Sequence, residues 1–258
     1  MNALKRIWVI GQNTVREAIR NKLLYTLLFF AITLIGTGVI ISSISYVEGS
    51  RILQDVGLAS IRLFSVGIAI FVGVGLIHGE VDRRTIYTII SKPVSRTEFL
   101  LGKYVGLVMT LWLQLAIMSL AFVLVSLAAG APIDWGHAMA LLLIGVELVL
   151  IIAVATLFSS FSTPMLASLF TLGIYVMGHL TRDLLQIGER AETGSMRVLS
   201  KVVYQVLPDL ESFNLSIQAT HQLPISASEV VWPMLYGVAY AAMLLFIASY
   251  LFARRDFR

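Results

Sequence analysis

Apolar positions along the chain gather into six long runs, at roughly 23–43, 61–79, 104–128, 138–159, 164–181 and 232–252, with polar stretches between them. Each run comes near the ~20 residues that an α-helix needs to cross a ~30 Å hydrocarbon core. The pattern therefore predicts six transmembrane helices within one all-α membrane domain covering 1–258. The fifth run is the shortest and closes in His179 and Arg182. Residues 1–22 carry a different period. Leu4, Trp8, Gly11, Val15, Ala18 and Ile19 fall on one side of a helix, with Arg6, Asn13, Glu17 and Arg20 on the other. That predicts an amphipathic helix lying in the membrane interface, its basic side toward lipid headgroups.

The most informative polar stretch joins the second and third runs. It reads HGEVDRRTIYTIISKPVSRTEFLLGKYVG from His78 to Gly106 and holds eight charged residues, so it belongs outside the hydrocarbon. Ile86, Ile89 and Ile90 recur at helical spacing beside Arg83, Arg84 and Thr88, which predicts a short amphipathic helix. Lys92-Pro93 ends it, because proline lacks the amide donor and disfavours helix in the residue before it. Ser95 stands three residues before Glu98, a capping-box spacing that starts a second helix running through Gly102 and Lys103 into the third span. Together these predict a helix–turn–helix elbow on the membrane surface.

Composition narrows the class. The chain is 58% hydrophobic and 13% charged, with mean hydropathy +0.87, against roughly 25% charged in a soluble domain. Its net charge of +4 does not point to nucleic acid, since the basic residues sit beside apolar runs. Lys and Arg number thirteen in the N-terminal segment, the 80–103 loop and the tail. Six stand in the other loops: Arg51, Arg62, Arg182, Arg190, Arg197 and Lys201. The asymmetry places both termini and the elbow in the cytoplasm. An even number of spans is the count consistent with it. No signal peptide is expected, because Lys5 and Arg6 are followed by mixed polar sequence.

Several chemistries are missing. The chain has no cysteine, so disulfides and thiolate sites are excluded. Gly102-Lys103 is followed by Tyr104, and no G-x-x-x-x-G-K-[ST] occurs, so no loop of this chain can cradle nucleotide phosphates. Its four scattered histidines offer no metal-ligand spacing. Glu147 stands out instead, about ten residues into the fourth run with apolar sequence on both sides. A carboxylate near the bilayer centre costs about 2.5–3.5 kcal/mol on insertion scales, so it should face the protein interior or a water-filled cavity. It is either a contact on a substrate path or a structural hydrogen bond to a neighbouring span. Small residues also recur at four-residue spacing, Ser65, Ala69 and Gly73 in one span and Gly102, Gly106 and Thr110 entering the next, where helices can approach closely.

The elbow resembles that of ABC-2 type transporter permeases, with a type V exporter-like fold. The residues that carry the resemblance are Glu80, Arg83, Arg84, Thr85, Pro93, Val94, Ser95, Arg96, Leu100, Leu101, Gly102 and Lys103; Arg84 stands where many relatives have Gly. Further along, Leu207-Pro208-Asp209-Leu210-Glu211-Ser212-Phe213-Asn214 looks like a segment of the branch grouped with copper-enzyme maturation, and the basic tail at 252–258 is also similar to the family's. The resemblance implies a permease subunit in the inner membrane of a prokaryote. It would act as a dimer and be driven by ATP and Mg on a separate ATPase subunit, with no cofactor on this chain. It further implies that Glu80, Asp82, Arg83, Arg84, Thr85, Pro93, Ser95, Arg96, Glu98 and Lys103 couple to that ATPase. Two alternatives stay open at this point: a scaffold transmitting force to an extracytoplasmic partner at the 182–231 loop, or an ion-coupled transporter using Glu147.

Overall fold

The computed structural model describes residues 2–44, 48–82, 95–191 and 194–254, and among them the secondary structure is helical throughout, without a strand. In chain order the helices are α1 (Ala3–Ile19), α2 (Lys22–Ile44), α3 (Gly49–Asp82), α4 (Arg96–Ala128), α5 (Trp135–Phe161), α6 (Pro164–Arg190), α7 (Gly194–Val206), α8 (Ser216–Thr220) and α9 (Ala227–Arg254). Six of these, α2 to α6 and α9, are long and apolar enough to cross a membrane.

Helix α5 is the hub. It is apolar on every side, and Leu143, Ile144, Leu148, Leu150, Ile151 and Ile152 are buried. A helix of that kind belongs in the middle of a bundle, and α3, α4, α6 and α9 pack around it. By contrast α2 and α9 leave most of their surface outward, with Phe29, Ile40, Trp232 and Phe246 all exposed, as suits helices facing lipid. The small residues of α3 serve this packing. Ser65 and Ala69 are buried, and Ser65 Oγ lies 3.7 Å from Met118 Sδ of α4.

In two places the helices run past the expected spans. The second span is not confined to 61–79: α3 begins at Gly49 and runs for 34 residues, about 51 Å at 1.5 Å per residue. Its early turns hold because Leu53, Leu58 and Ile61 continue a buried stripe, and Gln54 Nε2 donates to the Pro132 carbonyl at 2.6 Å. Arg62, expected among loop charges, therefore stands in the middle of a helix.

The stretch 182–231, in which Met196, Leu199, Val202, Val203 and Val206 mark an amphipathic helix that stops at Pro208, holds that helix as α7. α6 continues to Arg190, and α7 folds back on it where Gly188 leaves room for Ser200. The chain then stops its helix just before Leu207-Pro208, as proline predicts. Next comes an Asp-capped turn, in which Asp209 Oδ1 accepts from the Ser212 amide at 3.3 Å. Leu210, Phe213, Leu215 and Ala219 from this turn and α8 enter the main core. Their burial anchors the segment inside the bundle.

Candidate functional site

At the membrane-surface end of the third span, α1 lies against the first turns of α4. The predicted capping box is present. Ser95 Oγ accepts from the Glu98 amide at 3.2 Å, and Glu98 Oε2 accepts from the Ser95 amide at 3.0 Å. The same carboxylate receives Arg6 of α1 through two bonds, Nη2 to Oε1 at 2.6 Å and Nε to Oε2 at 3.0 Å. This two-pronged contact holds the Arg6 guanidinium above its ordinary value. One turn on, Lys103 is buried and donates to Glu17 Oε2 at 2.9 Å.

Between the two ion pairs the backbones nearly touch. A Cβ on Gly106 would lie 2.6 Å from the Gly11 carbonyl oxygen, and one on Gly102 would lie 2.7 Å from the Ile10 Cβ. Only glycine permits that approach. The face of α1 in use differs from the expected one. Gly11, Thr14 and Ala18 are buried with Arg6 and Glu17 beside them, while Leu4, Trp8 and Ile19 stay exposed. The apolar arc of α1 is wider than the stripe α4 covers, so its other edge is left to lipid. At the first residue of α4, Arg96 Nη1 donates to the Ala253 carbonyl at 3.3 Å, tying α4 to the end of α9.

Of the residues expected to couple to an ATPase, Glu98 and Lys103 are thus engaged within the chain and Ser95 serves as the cap. Glu80 and Asp82 fall in the last turn of α3, and their side chains lie outside what the structure describes. Arg83, Arg84, Thr85 and Pro93, and the short amphipathic helix expected around Ile86, also lie outside the described residues.

The second cluster lies within the bundle. Glu147 of α5 is fully buried, with Arg62 of α3 and His179 of α6 on either side of its carboxylate. Arg62 Nε stands 3.4 Å from Oε2, and His179 Nε2 stands 3.4 Å from Oε1. Neither approach is a hydrogen bond, and among the described residues both carboxylate oxygens, Arg62 Nε and His179 Nε2 lack a hydrogen-bond partner. Arg62 also donates from Nη2 to the Phe213 carbonyl at 3.3 Å. One arginine therefore links α3 to α5 and to the buried turn after α7.

The histidine's chemistry follows from its other nitrogen. Nδ1 lies 3.1 Å from the Tyr175 carbonyl, which can only accept, so Nδ1 carries a hydrogen. Its Nε2 then meets the carboxylate favourably only if a proton sits on one of them, as imidazolium facing carboxylate or carboxylic acid facing imidazole. Sequence reasoning singled out Glu147 but missed both partners. The signal for Arg62 was the apolar stripe Leu53, Leu58, Ile61 running into it. For His179 it was the continuation of helical sequence to Arg190.

Comparison with known proteins now adds to this geometry. Residues 8–257, nearly the whole chain, match the family described as ABC-2 family transporter protein. No curated protein sequence matches the chain at a significant level.

Proposed function

We propose that the chain, which belongs to the ABC-2 transporter family and is thus the membrane component of an ABC transporter, works as an exporter subunit whose α1–α4 junction carries the stroke of a separate ATPase into the membrane. The observation that supports this reading is the doubly ion-paired, glycine-packed contact of α1 on α4. A helix clamped in this way cannot roll independently of its partner, so a push on either element moves both. The segment 83–94, with Arg83, Arg84, Thr85 and Pro93, leads directly into α4 and is the proposed docking point, with Glu80, Asp82 and Arg96 at its borders.

In this scheme two copies of the chain pair with two ATPase chains in the inner membrane of a prokaryote, with both termini cytoplasmic. ATP and Mg act on the partner. Each stroke travels along α4, and the spans alternate between a closed and an outward-open arrangement. Glu147 links spans rather than substrate: its carboxylate is enclosed by Arg62 and His179, and a substrate contact would need an approach from a cavity. The scaffold alternative, with an external partner at 182–231, has less surface to offer once Leu210 and Phe213 are committed to the core.

Purification of the tagged chain in mild detergent, from a host that also carries its neighbouring genes, tests the assignment. A stoichiometric P-loop ATPase should accompany the wild type and be lost from the Arg83→Glu, Arg84→Glu double variant. A chain that emerges alone, or a double variant that keeps its ATPase, would contradict the docking point.

A further inference from the structure

Helix α7 presents an amphipathic face that no part of the described protein covers. Met196, Val198, Leu199, Val202 and Val206 are all exposed, on an arc opposite Arg197, Lys201 and Gln205. Such a helix beside membrane spans lies in the interface plane with its apolar arc in the acyl region. This fixes the level of the membrane boundary at the end of the bundle opposite α1. The same level is marked by Trp232, 69% exposed near the start of α9, where tryptophan and tyrosine favour the headgroup zone.

At the C-terminal end of α7 there is a cavity of about 490 Å3. Its walls include Tyr204, Trp232, Tyr236 and Tyr240, and at its rim Arg182 pairs with Asp209. Two of the rings are anchored at their hydroxyls. Tyr236 Oη accepts from the Asp209 amide at 3.1 Å, and Tyr240 Oη donates to the Val206 carbonyl at 2.8 Å. From Pro233 to Tyr240 the α9 wall descends about 10 Å, at 1.5 Å per residue. The cavity therefore begins at headgroup depth and reaches toward the glycerol region.

We infer that this cavity binds the headgroup of a zwitterionic phospholipid from the adjoining leaflet. The charge pattern selects that occupant. Asp209 Oδ2 takes Nε and Nη2 of Arg182, at 2.9 and 2.8 Å, which leaves Nη1 of the half-exposed guanidinium to receive a phosphate oxygen. The lipid's ammonium then meets aromatic faces and the Asp209 carboxylate, both of which attract a cation. An anionic headgroup such as phosphatidylglycerol satisfies only the first half of this arrangement. The inference is independent of which side of the membrane the cavity faces and of what the transporter carries.

The test is native mass spectrometry of the full-length chain in detergent, titrated with phosphatidylethanolamine, phosphatidylcholine and phosphatidylglycerol of matched chains. One zwitterionic lipid per chain should be retained about tenfold more strongly than phosphatidylglycerol, the ratio expected for one charge-assisted contact. Arg182→Ala, which removes the phosphate contact that all three headgroups share, should weaken retention of all three. Trp232→Ala, at an exposed position that does not hold the fold, should lessen the preference for the zwitterionic lipids while leaving the unfolding temperature unchanged, so loss of selectivity is separable from loss of structure. Equal retention of all three lipids by the wild type, or a preference that Trp232→Ala leaves untouched, would overturn the inference.

Discussion

At the membrane surface Arg6 meets Glu98 at 2.6 and 3.0 Å and Lys103 meets Glu17 at 2.9 Å, each through a direct hydrogen bond. Midway through the bundle Arg62 and His179 stand at 3.4 Å from Glu147, and the carboxylate makes no hydrogen bond at all among the described residues. The surface junction has matched donors and acceptors on backbones that glycine lets approach. The buried cluster has opposite charges held by helices whose spacing is set by other contacts. Buried charge is stabilising only when its hydrogen bonds are made, so the junction suits a rigid strut and the cluster suits a contact that can be remade. A transporter needs both: an element that transmits force unchanged and a core that has more than one arrangement.

Variants that break this contrast should differ in size of effect. Arg62→Ala leaves Glu147 without its cation and should lower stability most, by about 3–5 kcal/mol, the range for removing one member of a buried pair. Thermal unfolding in detergent measures it. The double variant Arg62→Leu, Glu147→Leu should recover most of that loss, since two apolar chains of similar size need no partners. A double variant as unstable as Arg62→Ala would show that Arg62 matters chiefly for its bond to the Phe213 carbonyl. Next in size is Gly106→Leu, where the new side chain has no space beside Gly11; overpacking of this kind costs about 1–3 kcal/mol. It should also loosen α1, which limited proteolysis of the first twenty residues would report. Smallest is Arg6→Ala, a modest fall in unfolding temperature that Arg6→Lys only partly restores, because an ammonium cannot reproduce the two-pronged contact.

The six spans were legible in the sequence because hydrocarbon thickness dictates their length, and the start of α4 was legible because the Ser95–Glu98 box is local. Glu147 was visible as a lone carboxylate among apolar residues. What was not legible depended on depth. Arg62 follows a stretch in which Gln54, Asp55 and Ser60 interrupt the apolar residues, and it reads as a loop charge until α3 is seen to begin at Gly49; only then do three helices bring Arg62, Glu147 and His179 to one level. The turn at Leu210 and Phe213 was legible as the motif from Leu207 to Asn214 but not in its burial, since a short apolar pair within a polar segment does not reveal which core it enters. On α1 the apolar arc was read correctly as an arc, yet the ion pairs, not hydropathy, chose which edge meets α4.

The strut is the central claim, and its stiffness can be measured. The chain has no cysteine, so single cysteines at exposed Gln12 of α1 and Ala116 of α4 can carry spin labels without background. Electron–electron double resonance on the assembled complex, without nucleotide and then trapped with ATP, gives the distance between them. A third label at exposed Phe71 of α3, paired with Ala116, supplies the comparison. The account predicts an α1–α4 distance that stays the same in both states while the α3–α4 distance changes. A change between α1 and α4 with α3 and α4 fixed would contradict it.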